Sequence, residues 1–536
     1  MKSLLLLVSV FFLSIIAGDS KQQRSTSSST TKKSKSIKST TKPNIKHVVV
    51  LQMENHSYDN MLGWFKLNDT RTNGLTGNEY NIDPTTNTTY YVTKNGALVD
   101  PDPDHSLGGT AEAIFGSSNF NPNIEHNISS ELMNGFISCE IKANGESWAP
   151  HIMDCLMPNN VPVITTLASE FANMDAMHSA VPGPTFPNRL FTLSGTSWGF
   201  STNDDLQTLL GWPQNPIFYS LDQANISWRV YFHDVATTWV LNYMRTTTAL
   251  QNHREYISDF AKDVANGDLP AFTWIDCAYL AIPGLYNASD QHPSHDVAEG
   301  ERLMKNVYET LRASSLWNDT ILIITYDEGG GFYDHVAPPV TNIPNPDNIT
   351  CKDCGKTPYN FTRLGIRVPT IVISPWIEAN TLISNPPDNT RYYELSSIPA
   401  TVHNVFNLSS YLTLRDQSAY PLNSIWENTP LTEPRTDCPM TLPTPPMFSP
   451  SHANDTENIS ENRPVSHLQQ ELLFTLEGLL LNNGELISSN KDTVTVESIM
   501  QKLQAAGALD SEAAAGRYVR KMVREHFQKL GLTHLK

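Results

Sequence analysis

Short apolar runs of strand length recur along the chain between polar turns. His47–Met53, Trp228–Phe232, Phe272–Ile275, Ile321–Tyr326 and Val368–Ser374 each read as buried strands. Stretches with helical spacing alternate with them. Val161–Phe171 is one, and Asp296–Arg312 is another, with Val297, Leu303, Met304, Val307 and Leu311 along one stripe. This alternation predicts an α/β fold, a mainly parallel sheet with helices on both faces. From about Thr429 to Arg463 the chain is rich in Pro, Thr, Ser and Asn and reads as an extended connector. Ser466–Leu481 and Val494–Leu530 then regain helical periodicity, which predicts a C-terminal helical extension docked on the main body. No internal repeat is visible.

The amino terminus has a different pattern. One lysine precedes Leu4–Ile16, which is almost wholly apolar, and small residues follow up to Gly18. That is a secretory signal-peptide pattern, too short to span a bilayer. No other stretch is long and apolar enough to cross a membrane. The predicted organisation is a signal peptide over 1–18, a Ser/Thr/Lys-rich linker over 19–44, a catalytic domain over 45–443, a connector over 444–463 and a helical region over 464–536. Secretion, or delivery to the endolysosomal lumen, is the expected destination.

Charge narrows the list of partners. The 536 residues include 37 basic and 55 acidic ones, a net charge of −18. Residues 1–46 hold nine of the basic residues and one acid, so the remainder has 28 against 54, or −26. Such a body argues against nucleic acid and against electrostatic docking on anionic membranes. A phosphate-handling site on it needs a local positive centre, which a bound cation would supply. N-x-S/T sequons occur at Asn68, Asn87, Asn127, Asn225, Asn287, Asn318, Asn348, Asn360, Asn407, Asn454 and Asn458, as expected of a secreted glycoprotein. Asn55 fits the same pattern and should be unmodified if it is a buried ligand. Six cysteines in an exported chain suggest disulfides. Cys351 with Cys354 is the first choice, with a zinc half-site as its alternative. Cys139 with Cys155 is plausible, which leaves Cys277 with Cys438.

The candidate chemistry sits at strand ends. Thr325-Tyr-Asp-Glu-Gly-Gly-Gly-Phe-Tyr-Asp-His335 follows the apolar run 321–324. Open α/β sheets bind ligands at the carboxyl ends of their strands. Asp327 and Glu328 repel each other unless a cation or proton lies between them. A strand followed by a polar turn is the bland alternative. Glu54 and Asn55 end the first strand, where they could bind a hard cation or cap a helix. Val181-Pro-Gly-Pro-Thr-Phe-Pro-Asn-Arg-Leu190 is a stiff loop leading into a helix. Thr185 is there a candidate nucleophile, with Asn188 and Arg189 as candidate holders of phosphate oxygens. The alternative is a rigid loop and a capped helix. Asp290-Gln-His-Pro-Ser-His-Asp296 crowds His292, His295 and Asp296 together before a helix, suited to metal binding, phosphate contact or leaving-group protonation. Asp104-His-Ser106 adds His105.

Taken in order, these segments resemble the phosphoesterase family that contains non-specific phospholipases C and certain acid phosphatases. The motifs are ENHSYDNMLGWF at Glu54–Phe65, DPDHS at Asp102–Ser106, VPGPTFPNRLF at Val181–Phe191 and HPSHDVAEGERLMKNVYETLRAS at His292–Ser314. They continue with ITYDEGGGFYDHV at Ile324–Val336, RLGIRVPTIVISPWI at Arg363–Ile377, SSIPATV at Ser396–Val402 and EPRTDCP at Glu433–Pro439. The likeness runs from about Ile45 to Pro443 and is closest to the plant-type non-specific phospholipases C. It implies an alkaline-phosphatase-like three-layer α/β/α core. It implies a metal centre at Glu54, Asn55, Asp327 and Glu328, and transient phosphorylation of Thr185. By the same analogy His105, Asn188, His292, His295 and His335 line the site. Arg189 and Asp296 are further candidate substrate contacts on the strength of their own segments. Oxygen ligands favour calcium or magnesium, and the histidines leave zinc or iron open. The implied substrate is a phospholipid, with a small phosphomonoester as the acid-phosphatase alternative and a non-catalytic glycoprotein of the same fold as a third reading. Gly329 and Leu395 stand where the family often has histidine.

Overall fold

The computed structural model describes residues 43–96, 101–116, 132–354, 359–428, 431–446, 462–482, 494–532 and 534. Twelve strands are formed among them: β1 (His47–Met53), β2 (Tyr80–Ile82), β3 (Thr89–Tyr91), β4 (Ala172–Met174), β5 (Met177–His178), β6 (Trp228–Phe232), β7 (His253–Glu255), β8 (Phe272–Ile275), β9 (Thr320–Tyr326), β10 (Thr370–Ile373), β11 (Thr381–Ile383) and β12 (Tyr393–Glu394). Eight make one sheet in the order β11-β4-β10-β9-β1-β8-β6-β7. Only β10 runs against its neighbours β9 and β4, so the sheet is mainly parallel.

β1 and β9 lie at the centre, and their runs of Val, Ile and Leu are buried on both faces. Continuous apolar strands need cover above and below. Two helices supply it. Gln52 donates through Nε2 to Thr192 of the helix Thr185–Ser194 at 3.1 Å. The neighbouring position, Met53, pairs with Tyr326, whose hydroxyl donates to Gln291, and Gln291 in turn donates to Val297 O at 2.8 Å. Val297 begins the helix Val297–Arg312. Successive strand residues point to opposite faces, so these two helices lie on opposite sides of the sheet. The expected three-layer sandwich is present.

A second, smaller core is built mainly from the chain between β1 and the helix Pro162–Glu170. Within it are α2 (Leu107–Phe115) and α3 (Phe136–Asn144); α1 (Tyr58–Leu62) packs its Tyr58, Met61 and Leu62 in the main core, and Pro162–Glu170 is α4 and Thr185–Ser194 is α5. Trp64, Ile114, Phe136, Ile137, Met153 and Tyr333 pack together here. This layer carries Asp102 and His105 on the segment entering α2.

The carboxyl-terminal helix His467–Asn482 packs closely against the body. A Cβ on Gly478 would stand 2.3 Å from Leu209 O, so only glycine permits this approach. The helical stretch expected over Val494–Leu530 is formed by two helices, Val496–Ala505 and Glu512–Lys529. Gly507 turns the chain at φ +69°, and the Ser511 hydroxyl accepts from Ala514 N–H to start the second helix. Most of the expected connector over 444–463 lies outside the described residues, as does the signal-peptide and linker region.

Cys351 and Cys354 form the expected disulfide, with Cα atoms 5.8 Å apart. The other two expected pairings are absent. Cys139, Cys155, Cys277 and Cys438 are free and buried, each packed in its own surroundings. Cys139 Sγ faces Gly109 O, Cys155 lies in the smaller core, and Cys277 lies under Gln52 O and the Met53 sulfur.

Candidate active site

β1 and β9 are adjacent and in register, Met53 opposite Tyr326. The residues that follow them therefore emerge side by side at the carboxyl end of the sheet. Asn55 N–H donates to Asp327 Oδ1 at 3.1 Å across 272 positions of sequence. Asn55 takes φ +69°, a left-handed conformation that asparagine tolerates better than most residues. Beyond β9, Gly330 has φ +63°, and a Cβ there would lie 2.0 Å from Asn55 O. Glycine is what lets the two strand ends close on each other.

Thr185 is the first residue of α5, presented by the proline-rich loop, and its Oγ1 donates to Glu54 Oε2 at 3.4 Å. Arg189, one turn on, is fully buried between the acids. Its Nε donates to Glu54 Oε1 at 2.9 Å and to Asp327 Oδ2 at 3.0 Å, and its Nη2 to the carbonyls of Gln52 and Met53. Arg189 was expected to hold phosphate; its Nε and Nη2 are committed to the acids and to backbone carbonyls, and its Nη1 has no hydrogen-bond partner among the described residues. Two buried carboxylates in contact need a counter-charge, and Arg189 supplies it. Burial pushes the Glu54 carboxyl well above its ordinary range; Arg189 opposes that push and Asp327 reinforces it.

The second half of the site is a ring of Asn55, Asp102, His105, His292 and Glu328. Asn55 Nδ2 donates to Asp102 Oδ1 at 3.1 Å. His105 Nδ1 faces Pro103 O at 2.8 Å, and His292 Nδ1 faces Pro293 O at 2.6 Å. A carbonyl only accepts, so Nδ1 of each ring carries a hydrogen and Nε2 is turned to the acids. Nε2 of His292 lies 3.8 Å from Asp102 Oδ2, and Nε2 of His105 lies 3.9 Å from Glu328 Oε1. Burial pulls His105 down, but the carboxylates of Glu328 and Asp102 outweigh it and raise the ring to about 10. Burial lifts Glu328 to about 8, with His105 opposing and Asp327 adding.

The donors fit a divalent cation. Asn55 Oδ1 and Glu328 Oε1 are buried with no hydrogen-bond partner among the described residues. Unmet buried acceptors are costly, and a cation would satisfy both. The ligating atoms of Asp102, His105 and His292 lie within 4.8 Å of one another beside them. Of the four expected ligands, Asn55 and Glu328 thus offer free oxygens, while Glu54 and Asp327 already share Arg189.

Four other expected site residues are engaged by protein groups. Asn188 accepts from Val181 N–H and donates to the carbonyls of Val181, Gly183 and Pro184, so it shapes the loop that presents Thr185. Asp296 accepts from Ala298 N–H at 2.9 Å and caps the helix Val297–Arg312. His295 has both nitrogens engaged, Nδ1 with Asp290 at 2.6 Å and Nε2 with Glu512 at 3.2 Å. His335 belongs to a separate ionic cluster, bonded to Asp59 and to Asn73 beside Asp334 and Arg367. Asp102 received no role from sequence, although it opens the DPDHS motif three positions before His105. Gly329 lacks the family's frequent histidine, and a Cβ there would meet Ile366 Cδ1 at 2.1 Å.

Between the ring and α5 opens a cavity of about 340 Å³, lined in part by Asp102, His105, Pro184, Asn203, His467 and Glu471.

A family profile described as the phosphoesterase family matches residues 45–409. Non-specific phospholipase C6 of Arabidopsis thaliana is 42% identical over 451 residues, covering 83% of this chain and 82% of the relative. Non-specific phospholipase C4 of the same plant is 39% identical, again over 83% and 82%. A solved structure described as a protein in the alkaline phosphatase superfamily from Vibrio parahaemolyticus aligns with a TM-score of 0.28 at 12% identity, over 49% of this chain and 64% of that one. The α/β assignment made above rests on the sheet itself.

Proposed function

This chain belongs to the phosphoesterase family, and from that premise we propose that it is a secreted, metal-dependent hydrolase that cleaves phospholipid phosphodiester bonds through a phosphothreonine intermediate. The observation that carries this reading is the Thr185 hydroxyl, 3.4 Å from Glu54 Oε2 at the head of α5 and beside both acidic strand ends. The relatives named as phospholipases C support the substrate class. The short apolar amino-terminal run supports export, and no helix among the described residues is long and apolar enough to cross a membrane.

Asn55 and Glu328, with Asp102 and His292 near them, would hold the cation, with calcium or magnesium favoured by the oxygen donors. When bound, it supplies Lewis-acid stabilisation of phosphate charge and a lower pKa for the threonine hydroxyl. Thr185 Oγ1 attacks phosphorus and gives its proton to Glu54 Oε2. A bond forms from Thr185 oxygen to phosphorus, and the bond from phosphorus to the glycerol oxygen breaks. His105, kept protonated by its carboxylate neighbours, holds a proton at Nε2 for the leaving oxygen. Diacylglycerol departs with that proton. Water then attacks the phosphothreonine and gives a proton to His105 Nε2; the bond from phosphorus to Thr185 Oγ1 breaks, Oγ1 takes back the proton held by Glu54 Oε2, and the head-group phosphate leaves. Arg189 keeps Glu54 and Asp327 in place throughout.

The test is hydrolysis of phosphatidylcholine in mixed micelles beside hydrolysis of an aryl phosphomonoester by the same purified protein. Release of diacylglycerol with little monoester turnover supports the proposal. Fast monoester turnover without diacylglycerol would replace it with an acid-phosphatase activity.

A further inference from the structure

We propose that Asn203, held in orientation by Glu471 of the carboxyl-terminal helix, is a positioning residue for the nucleophile Thr185; this rests on the reading of Thr185 given above. The first turn of α5 has no cap of its own. Its N-cap is Pro184, which has no side-chain oxygen to offer the helix. The N–H of Phe186, the residue after Thr185, is met from outside by Asn203 Oδ1 at 2.8 Å. The other end of the same amide, Asn203 Nδ2, donates to Glu471 Oε2 at 2.8 Å across 268 positions of sequence.

This pairing gives the amide a single orientation. Turning it over would set the Asn203 oxygen against the Glu471 carboxylate and its NH2 against the Phe186 N–H. Both contacts would be repulsive. Glu471 is itself buried, and its other oxygen lies 3.1 Å from Nδ1 of the largely exposed His467. The loop before Asn203 is pinned from a third direction. Asp353, inside the Cys351–Cys354 loop, accepts from the N–H and hydroxyl of both Ser201 and Thr202, at 2.6–3.0 Å. Asn203, His467 and Glu471 line the same cavity as His105 and Pro184. The carboxyl-terminal helix therefore reaches the nucleophile through one side-chain amide. Small displacements of a reacting group cost rate more than binding.

The test is a charge-swap cycle on the full-length enzyme, assayed on phosphatidylcholine in mixed micelles, with kcat and KM measured separately. N203A removes the external cap, and kcat should fall by about 10- to 100-fold with KM changed by less than about threefold. N203D faces one carboxylate with another and should be as slow. E471Q keeps an acceptor for the Asn203 amide and should stay within about threefold of wild type. The double variant N203D/E471Q lets the glutamine amide donate to the aspartate, which still accepts from Phe186 N–H, and should recover kcat to within about threefold of E471Q. A role confined to folding would not produce that recovery in kcat. An N203A enzyme with unchanged kcat, or a double variant as slow as N203D, overturns the proposal. Thr185→Ala run alongside separates the two readings. If it is inactive beside an unaffected N203A, the positioning role alone falls; if it turns over normally, both fall.

Discussion

At the scale of single residues, the site is a set of buried acids short of positive charge. Asn55 Oδ1 and Glu328 Oε1 have no partner among the described residues. Asn55→Ala should therefore weaken calcium or magnesium binding by at least ~10-fold, read by calorimetric titration of the cation-stripped protein. Unchanged affinity would place the cation elsewhere. The same shortage sets the pH dependence of the cation-free protein. Burial raises Glu328 from its ordinary 4.5 to about 8, so the native state holds a proton that the unfolded state has lost. Stability must then fall as pH rises from 4.5 to 8. His105, raised from 6.5 to about 10, has its contribution in full below 6.5 and loses it as pH climbs toward 10. Cation-free wild type should melt at lower temperature as pH rises across this range. Glu328→Gln should flatten the dependence, and a wild-type Tm that rises with pH would contradict it. The convergence of Glu54 and Asn55 with Asp327 and Glu328 was legible in sequence because neighbouring strands of a parallel sheet end side by side. The ion pairs of Arg189 were not legible, because the buried acids that claim it are distant in sequence. The place of His335 beside Asp59 and Arg367 was not legible, because Gly330 and Gly331, at φ +63° and +71°, turn the chain after Glu328.

At the scale of elements, the long apolar runs identified the central strands, and the short strands escaped. β4, β7 and β11 are three residues each, too short for a periodicity to register. The turn after β9 is the element on which the site geometry most depends. Gly330→Ala places a Cβ against Asn55 O at a positive φ and should cost about 1–3 kcal/mol in stability, with a loss of activity, measured by denaturant unfolding and turnover. A variant of wild-type stability would refute the close approach. The carboxyl-terminal helices are tied on by ions as well as packing. Glu512 accepts from Ala281 N–H at 2.8 Å, pairs with His295 at 3.2 Å and lies 3.2 Å from Arg463. Burial opposes the Glu512 charge, but His295 and Arg463 outweigh it and hold the carboxyl down at about 2. Its contribution is present above 4.5 and is lost as pH falls toward 2. Burial lowers His295, but Asp290 and Glu512 overcome it and raise the ring to about 10, so its contribution is full below 6.5 and lost as pH rises toward 10. Glu512→Gln should therefore destabilise most between pH 4.5 and 6.5, with a smaller effect on either side, as read from Tm across pH. A penalty independent of pH would show that the ion pair contributes nothing.

At the scale of the whole molecule, an acidic body concentrates its chemistry at one end of one sheet. The sequons at Asn68, Asn87, Asn225, Asn318, Asn348, Asn360 and Asn407 are exposed and Asn287 is half-buried, whereas Asn55 is buried. That distribution agrees with the expectation that Asn55 is unmodified; Asn127, Asn454 and Asn458 lie outside the described residues. The sandwich was legible because parallel strands need apolar residues on both faces. The reach of the carboxyl-terminal helix into the site was not, because nothing local to Glu471 records its contact with Asn203. The most direct measurement is kcat/KM of Thr185→Ala on phosphatidylcholine, with its fold checked by circular dichroism. The expected result is a loss of at least ~10³-fold, in the range seen when a nucleophile is removed. A folded variant within about threefold of wild type would contradict the assignment of Thr185 as the group that attacks phosphorus.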